Sequence, residues 1–308
     1  MQHLFYLILT LSTFSSIHAQ DSVYMFSYFK NNGEDGLHLA YSHDALNWTP
    51  LKNDSSFLKP AVGIDKLMRD PCIIRGADEK FHMVWTVSWK EKGIGYASSA
   101  DLINWNVQQY IPVMEHEDSA MNCWAPELFY NEVKKEYMIY WATTIPGRFP
   151  VSANAGDERY NHRMYYVTTK DFKKFSNTKL LYDQGFNVID ATIHKNGNTY
   201  LMFLKDETRY PPQKNLRVAR SKQPYKNYGK PSPPVTGNYW AEGPAVLPLA
   251  DQWIVYFDKY TQHTYGAVSS KDLITWNDIS DKVHFPVGAR HGSVFTISRQ
   301  EFEKLMNN

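Results

Sequence analysis

One phrase recurs five times along this 308-residue chain: GLHLAYSHDALNW (Gly36–Trp48), GIGYASSADLINW (Gly93–Trp105), HRMYYVTTKDFKKF (His162–Phe175), NLRVARSKQPYKNY (Asn215–Tyr228) and TYGAVSSKDLITW (Thr264–Trp276). Each copy is an alternating apolar strand, a Ser/Thr-Lys/Asp turn and a closing aromatic. Successive closing aromatics lie 57, 70, 53 and 48 residues apart. Such intervals fit one four-stranded propeller blade with its loops. Two further strand-like runs precede each copy, as in Cys72–Arg75 and Phe81–Val87 before Gly93–Ser98. Helical periodicity is confined to a short C-terminal turn, Arg299–Met306.

The fifth unit is split. Val23–Trp48 supplies a middle strand and the closing phrase but no inner strand, while Gly292–Ile297 supplies an inner strand with nothing after it. Joining the two completes a blade across the chain ends and buries edges that otherwise invite aggregation. The expected fold is all-β: a five-bladed β-propeller closed by N- and C-terminal strands that share one blade. Composition agrees, since 43% hydrophobic and 15% aromatic residues can fill wedges between blades. No linker divides residues 20–308, which are expected to form one domain.

Residues 1–19 carry an apolar core from Leu4 to Leu11, then small and polar residues to Ala19. That pattern is a secretory signal peptide, too short and too polar to span a bilayer. An exported protein, periplasmic or secreted and without a membrane span, is expected. A formal charge of +1 with no basic run argues against nucleic acid and does not favour an anionic polymer. Two cysteines, Cys72 and Cys123, are no disulfide framework and read as small buried hydrophobes.

Inner strands of a propeller run along its axis, so their starts converge on one funnel. Those starts read Met68-Arg69-Asp70-Pro71, Cys123-Trp124-Ala125-Pro126-Glu127, Val188-Ile189-Asp190-Ala191-Thr192, Trp240-Ala241-Glu242-Gly243-Pro244 and Ala289-Arg290-His291-Gly292. Carboxylates stand at three of the five equivalent places and a histidine at one. Charged groups are seldom placed at the ends of buried strands without a partner or a task. Glycoside hydrolysis needs one protonated and one ionised carboxyl across the scissile bond, and a third acid can raise the pKa of the first. Glu127, just past Trp124-Ala125-Pro126, is the rival acid. Trp85, Trp89, Trp124, Trp141, Trp240 and Arg290 are candidates to contact a sugar, with Trp124 and Trp240 favoured because they abut the acids. The insertion Ile145–Asn161 and the segment Asp206–Tyr210 are expected over the funnel, where substrate preference would reside.

Arg69-Asp70-Pro71, Trp124-Ala125-Pro126, Ile189-Asp190, Glu242-Gly243-Pro244 and His291-Gly292-Ser293, in this order and one per blade, resemble glycoside hydrolase family 43 over essentially the whole mature chain. The resemblance implies an inverting hydrolase with Asp70 as general base, Asp190 as pKa modulator and Glu242 as general acid. It implies that His291 sits near a central metal, often calcium, or water; the chemistry itself requires no cofactor. It implies a carbohydrate substrate and removal of terminal sugars, α-L-arabinofuranosyl units first. β-Xylosidase, galactofuranosidase and exo-β-galactosidase activities, or a non-catalytic sugar-binding propeller, are the alternatives. A monomer is expected. The Asn-Asp-Pro-Asn and Glu-Cys motifs of invertase-like propellers are absent.

Overall fold

A computed structural model describes residues 22–157 and 159–307. The signal-peptide expectation for residues 1–19 lies outside them. Five antiparallel sheets form the blades. The first runs Arg69–Arg75, Phe81–Thr86, Ile94–Ser99, Gln109–Ile111, and the second Trp124–Asn131, Glu136–Thr144, His162–Thr169, Lys179–Tyr182. The third has three strands, Val188–Asn196, Thr199–Asp206 and Asn215–Ser221. The fourth runs Glu242–Pro248, Trp253–Lys259, Thr264–Ser270, Asn277–Asp278. The fifth is the split blade: Arg290–Ser298 from the C-terminal end pairs with Ser22–Phe29, followed by His38–Ser42 and Thr49–Pro50.

The recurring phrase works through its turn. In four blades one Asp carboxylate accepts two consecutive backbone N–H groups: Asp44 from Leu46 and Asn47, Asp101 from Ile103 and Asn104, Asp171 from Lys173 and Lys174, Asp272 from Ile274 and Thr275. The residue after each Asp takes a positive φ (Ala45 63°, Leu102 66°, Phe172 54°, Leu273 60°). The side chain thereby replaces the hydrogen bonds that the turn removes from the ladder.

Between neighbouring blades lie five apolar clusters, so the core is a ring of wedges. Trp141 fills the wedge between the first and second blades and Trp85 that between the fifth and first; both are fully buried. Neither reaches the funnel, because both point into these apolar clusters. Cys72 and Cys123 share the wedge of Trp141 as free, buried thiols. The C-terminal segment is a full helix, Arg299–Met306, started by a Ser298–Glu301 capping box and seated by Leu305.

Inner strands share a distortion that sequence periodicity did not reveal. Each opens with a β-bulge, two residues facing one: Asp70-Pro71, Ala125-Pro126, Asp190-Ala191, Gly243-Pro244 and His291-Gly292. In four of them the first bulge residue is left-handed (Asp70 φ 53°, Ala125 45°, Asp190 51°, Gly243 62°). Such a conformation costs a non-glycine residue about 1–3 kcal/mol. At Gly243 a Cβ would lie 2.4 Å from the His291 ring, so only glycine fits.

Polar side chains tie the bulges to one another. Ser27 Oγ of the closing blade donates to Pro71 O at 2.6 Å. Thr86 Oγ1 accepts from Ala125 N at 2.8 Å, and Asp190 accepts from Gly243 N at 3.1 Å. Ser293 Oγ accepts from Ile73 N at 2.9 Å, joining the closing blade to the first. Ser293→Ala should therefore leave a buried N–H unpaired and cost about 1–3 kcal/mol, read as a lower urea midpoint with an unchanged slope; an unchanged midpoint would show that this tie does not hold the closure.

Candidate active site

The bulges bring Asp70, Asp190 and Glu242 to the wall of one cavity of about 340 Å³. Arg69, Trp89, Trp124, Arg290 and His291 line the same space. The bulge also explains why Glu242 precedes its bulge residue whereas Asp70 and Asp190 are bulge residues: successive side chains there turn towards the axis at two depths. Below, the channel closes. Thr192 Oγ1 donates to Glu127 at 3.0 Å, and Ser27 and Ser293 hydroxyls lie 2.9 Å apart. Glu127 belongs to this floor and does not line the cavity; burial pushes its pKa up to about 7.

Each acid sits in a different field. Asp70 is almost buried, and burial alone would raise its pKa; His291 Nδ1 at 3.3 Å, Arg69 and the Thr86 hydroxyl at 2.8 Å outweigh that and hold it ionised. Asp190, 6% exposed, is pushed up to about 7 by burial and by the neighbouring charges of Glu242 and Asp70, against the pull of His291 and Lys205. Glu242 goes the other way. Despite burial, Lys205 Nζ at 2.9 Å and Arg290 at 3.2 Å hold it below the usual carboxylate range. Asp190 and Glu242 thus keep one proton between them near neutrality, and it rests on Asp190.

His291 does not fit a metal. Burial would lower its pKa, but Asp70, Asp190 and Glu127 raise it to about 9, which favours the imidazolium in the free protein. Among the described residues no group of three or more His, Cys, Asp or Glu side chains is arranged to hold an ion. The calcium expected from the resemblance has no donor set here, since calcium requires several oxygen ligands. The histidine supplies the central positive charge itself.

Trp124 and Trp89 meet edge to face, 5.4 Å between centroids, and Trp89 is 42% exposed at the mouth. Trp240 is not on the cavity wall. It lies in the loop before the fourth inner strand, packed by Arg209 at 4.8 Å and Tyr260 at 6.0 Å, and Tyr260 takes the place beside the cavity.

Several wall residues escaped the sequence. Lys205, fully buried in the middle strand of the third blade, bridges Glu207 Oε2 at 2.6 Å and Glu242. Its register partner is Ile189, and that pairing was the available signal: a lysine in the apolar run YLMFLKD beside an acidic bulge. His162, 1% exposed, donates from Nδ1 to the Asn187 amide oxygen at 3.1 Å. Its pKa falls to about 3 through burial, so it is neutral, and among the described residues its Nε2 has no hydrogen-bond partner. The insertion is tied down rather than draped: Lys214 Nζ reaches Asp157 at 2.8 Å and Arg163 reaches Ser152 at 2.7 Å. Asp157 and Tyr160 of that segment line the cavity.

A five-bladed propeller with an acid-lined funnel is the class these features define. A family profile described as "Probable glycosyl hydrolase domain", related to family 43, matches residues 20–303. The chain belongs to this family. Over 160 residues it is 22% identical to an α-L-arabinofuranosidase of Bifidobacterium longum subsp. longum, a match covering 46% of this chain and 15% of that protein. The chain therefore aligns with only a small part of that relative. Among solved structures, an α-L-arabinofuranosidase from Lactobacillus brevis superposes with a TM-score of 0.52 at 20% identity, covering 68% of this chain and 72% of that one. A thermostable family-43 glycoside hydrolase gives 0.56 at 15% identity, covering 74% and 82%. A family-43 β-1,3-galactosidase gives 0.53 at 13% identity, covering 72% and 79%. These three share the fold.

The His291 charge predicts how stability follows pH. A histidine whose folded pKa lies near 9, above its ordinary 6.5, stabilises the fold fully below 6.5 and loses that contribution as pH rises to 9. Unfolding free energy, measured by urea titration, should fall across this window, and His291→Gln should flatten the fall. An equally steep fall in the variant would remove His291 as its source.

Proposed function

We propose that this protein is an exo-acting, inverting glycoside hydrolase that removes terminal sugars, α-L-arabinofuranosyl units first, from polysaccharide or oligosaccharide. One observation carries the reading: Asp70, Asp190 and Glu242, distant in the chain, share one cavity whose inner end is closed by hydrogen-bonded side chains. A closed floor suits one terminal residue rather than a threaded polymer, and about 340 Å³ suits a single sugar. Trp89 and Trp124 offer ring faces for sugar stacking. The cavity is complete within one chain, which supports a monomer. The signal-like residues 1–19 support export, so the substrate would be met outside the cytoplasm.

In the proposed reaction Asp70, held ionised, takes a proton from water. That water's oxygen bonds to the anomeric carbon as the bond to the leaving oxygen breaks. Glu242 gives the leaving oxygen its proton. Inverting enzymes place base and acid carboxyls about 6.5–9.5 Å apart to admit the water. Lys205 and Arg290 oppose protonation of Glu242, so the acid role requires that a bound sugar draw its carboxyl off this clamp. Losing cationic stabilisation raises its proton affinity, and the proton on Asp190 is the source nearest in charge and space. Asp190 is thus the reservoir of the pair.

A panel of nitrophenyl α-L-arabinofuranoside, β-xyloside and β-galactoside identifies the sugar. Asp70→Asn should lose about 10²–10⁴-fold in kcat on every substrate cleaved. Glu242→Gln should lose as much on polysaccharide but far less on nitrophenyl glycosides, whose leaving groups need little protonation. Unchanged turnover in Asp70→Asn rejects the base, and sugar binding without cleavage of any substrate replaces the enzyme with a binding propeller. Wild-type kcat should decline above about pH 7, where the pair loses its proton; an unchanged kcat up to pH 9 would reject the shared-proton assignment.

A further inference from the structure

The cations on the cavity wall are matched to carboxylates, with one exception. Lys205 stands between Glu207 and Glu242, Arg290 rests on Asp258 and Glu242, and His291 rests on Asp70. Arg69 has no carboxylate within ion-pair distance among the described residues. Its Nη1 donates to the neutral Asn32 amide oxygen at 2.9 Å, its only hydrogen bond there. Its guanidinium carbon lies 4.7 Å from the Phe29 ring centroid and 4.1 Å from that of Trp89.

This arrangement is built, not incidental. Asn32 Oδ1 also accepts from Trp89 Nε1 at 3.0 Å, so one amide oxygen fixes both the arginine and its aromatic neighbour. The turn carrying Asn32 closes by Gly33 N to Lys30 O at 2.9 Å, and Met68 N donates to Gly33 O at 2.9 Å. Gly33 has φ +86°, and a Cβ there would come within 3.0 Å of Arg69 Cγ. The N-terminal hairpin therefore packs directly on the strand start that carries Arg69, with the Met68 carbonyl the nearest atom to that Cβ position at 2.8 Å. A held guanidinium retains a planar set of N–H donors that matches a carboxylate in two parallel bonds. Aromatic faces attract the cation but accept no N–H in its plane, and a sugar hydroxyl offers a single neutral acceptor where a carboxylate offers two charged ones.

We propose that Arg69 is the receptor for a carboxylate on the substrate, so that the enzyme acts on carbohydrate carrying uronic acid. This rests on the reading of the cavity as the sugar site and names the class of sugar chain it meets. The chain's near-zero net charge does not oppose it, because recognition of one carboxylate is a matter of one oriented cation rather than of a basic surface. Arg69 lies beside Trp89 at the mouth, which places the acidic group where the terminal sugar joins the rest of the chain.

Isothermal titration of the full chain with D-galacturonate, D-glucuronate, their neutral parents D-galactose and D-glucose, and sodium sulfate tests this. The uronates should bind about tenfold or more tighter than the neutral parents, and added salt should narrow the gap. Arg69→Gln should erase the gap. Equal affinity for uronate and parent in the wild type overturns the proposal whether or not the variant folds. So does a preference that survives in a folded Arg69→Gln, or sulfate bound through Arg69 as tightly as the uronates. Binding is read here, not turnover, so failure of every nitrophenyl glycoside to be cleaved would bear on hydrolysis alone.

Discussion

The bulge at the head of each inner strand is the constraint on which the site depends. A regular strand would send consecutive side chains to opposite faces and direct half of them into the wedges between blades. Two residues facing one break that alternation where five strands meet. Left-handed backbone at Asp70 and Asp190 is unfavourable in isolation, and no turn propensity of the neighbouring residues accounts for it. Hydrogen bonds hold it in place: Thr86 of the same blade bonds the Asp70 carboxylate and also the Ala125 N–H of the next blade, and Asp190 bonds the Gly243 N–H of the blade after its own. Strain in one blade is offset by a hydrogen bond to the adjoining one, so the site and the closed ring require each other.

The same economy governs charge. Burying several carboxylates around one axis would drive all of them to protonate, and then none could act as a base. Cations spaced between them separate their behaviour. His291 keeps Asp70 ionised, Lys205 and Arg290 keep Glu242 ionised, and Asp190, bonded to a backbone N–H but to no cation, carries the proton. The neutral His162 on the same wall shows that position, not residue type, sets charge here: with an amide partner instead of carboxylates it stays unprotonated.

Much of the architecture was legible because a repeat declares itself wherever it begins. The recurring phrase marked five units, and the orphan strands at the two ends could only complete each other. The acids were legible because they recur at the starts of inner strands. What was not legible came from geometry across strands. The inner strands begin up to four residues earlier than their apolar runs, since bulge residues break the alternation that would have marked them as strand. Lys205 enters the site from a middle strand through its pairing with Ile189, and Arg69 is recognisable as unpaired only once Asn32 and Trp89 are seen around it. Trp240 stands two residues before Glu242 but packs against Arg209 and Tyr260, and it is Tyr260, remote in sequence, that lines the cavity.

Arg69 and Glu242 differ in a way that orders these charges. Glu242 has two cations within ion-pair distance, Arg69 has no carboxylate that close among the described residues, and Arg290 is the cation between them, bonded to Glu242 and near the Phe29 ring that Arg69 also faces. An arriving carboxylate at Arg69 would remove the repulsion that Arg69 and Arg290 exert on each other. A leaving oxygen beside Glu242 would compete for the donors that hold it as an anion. Both events would relax contacts that are tight in the free protein. Recognition at the mouth and proton delivery deeper in the cavity would then draw on one connected set of charges, and a substrate lacking the acidic group would engage only half of it.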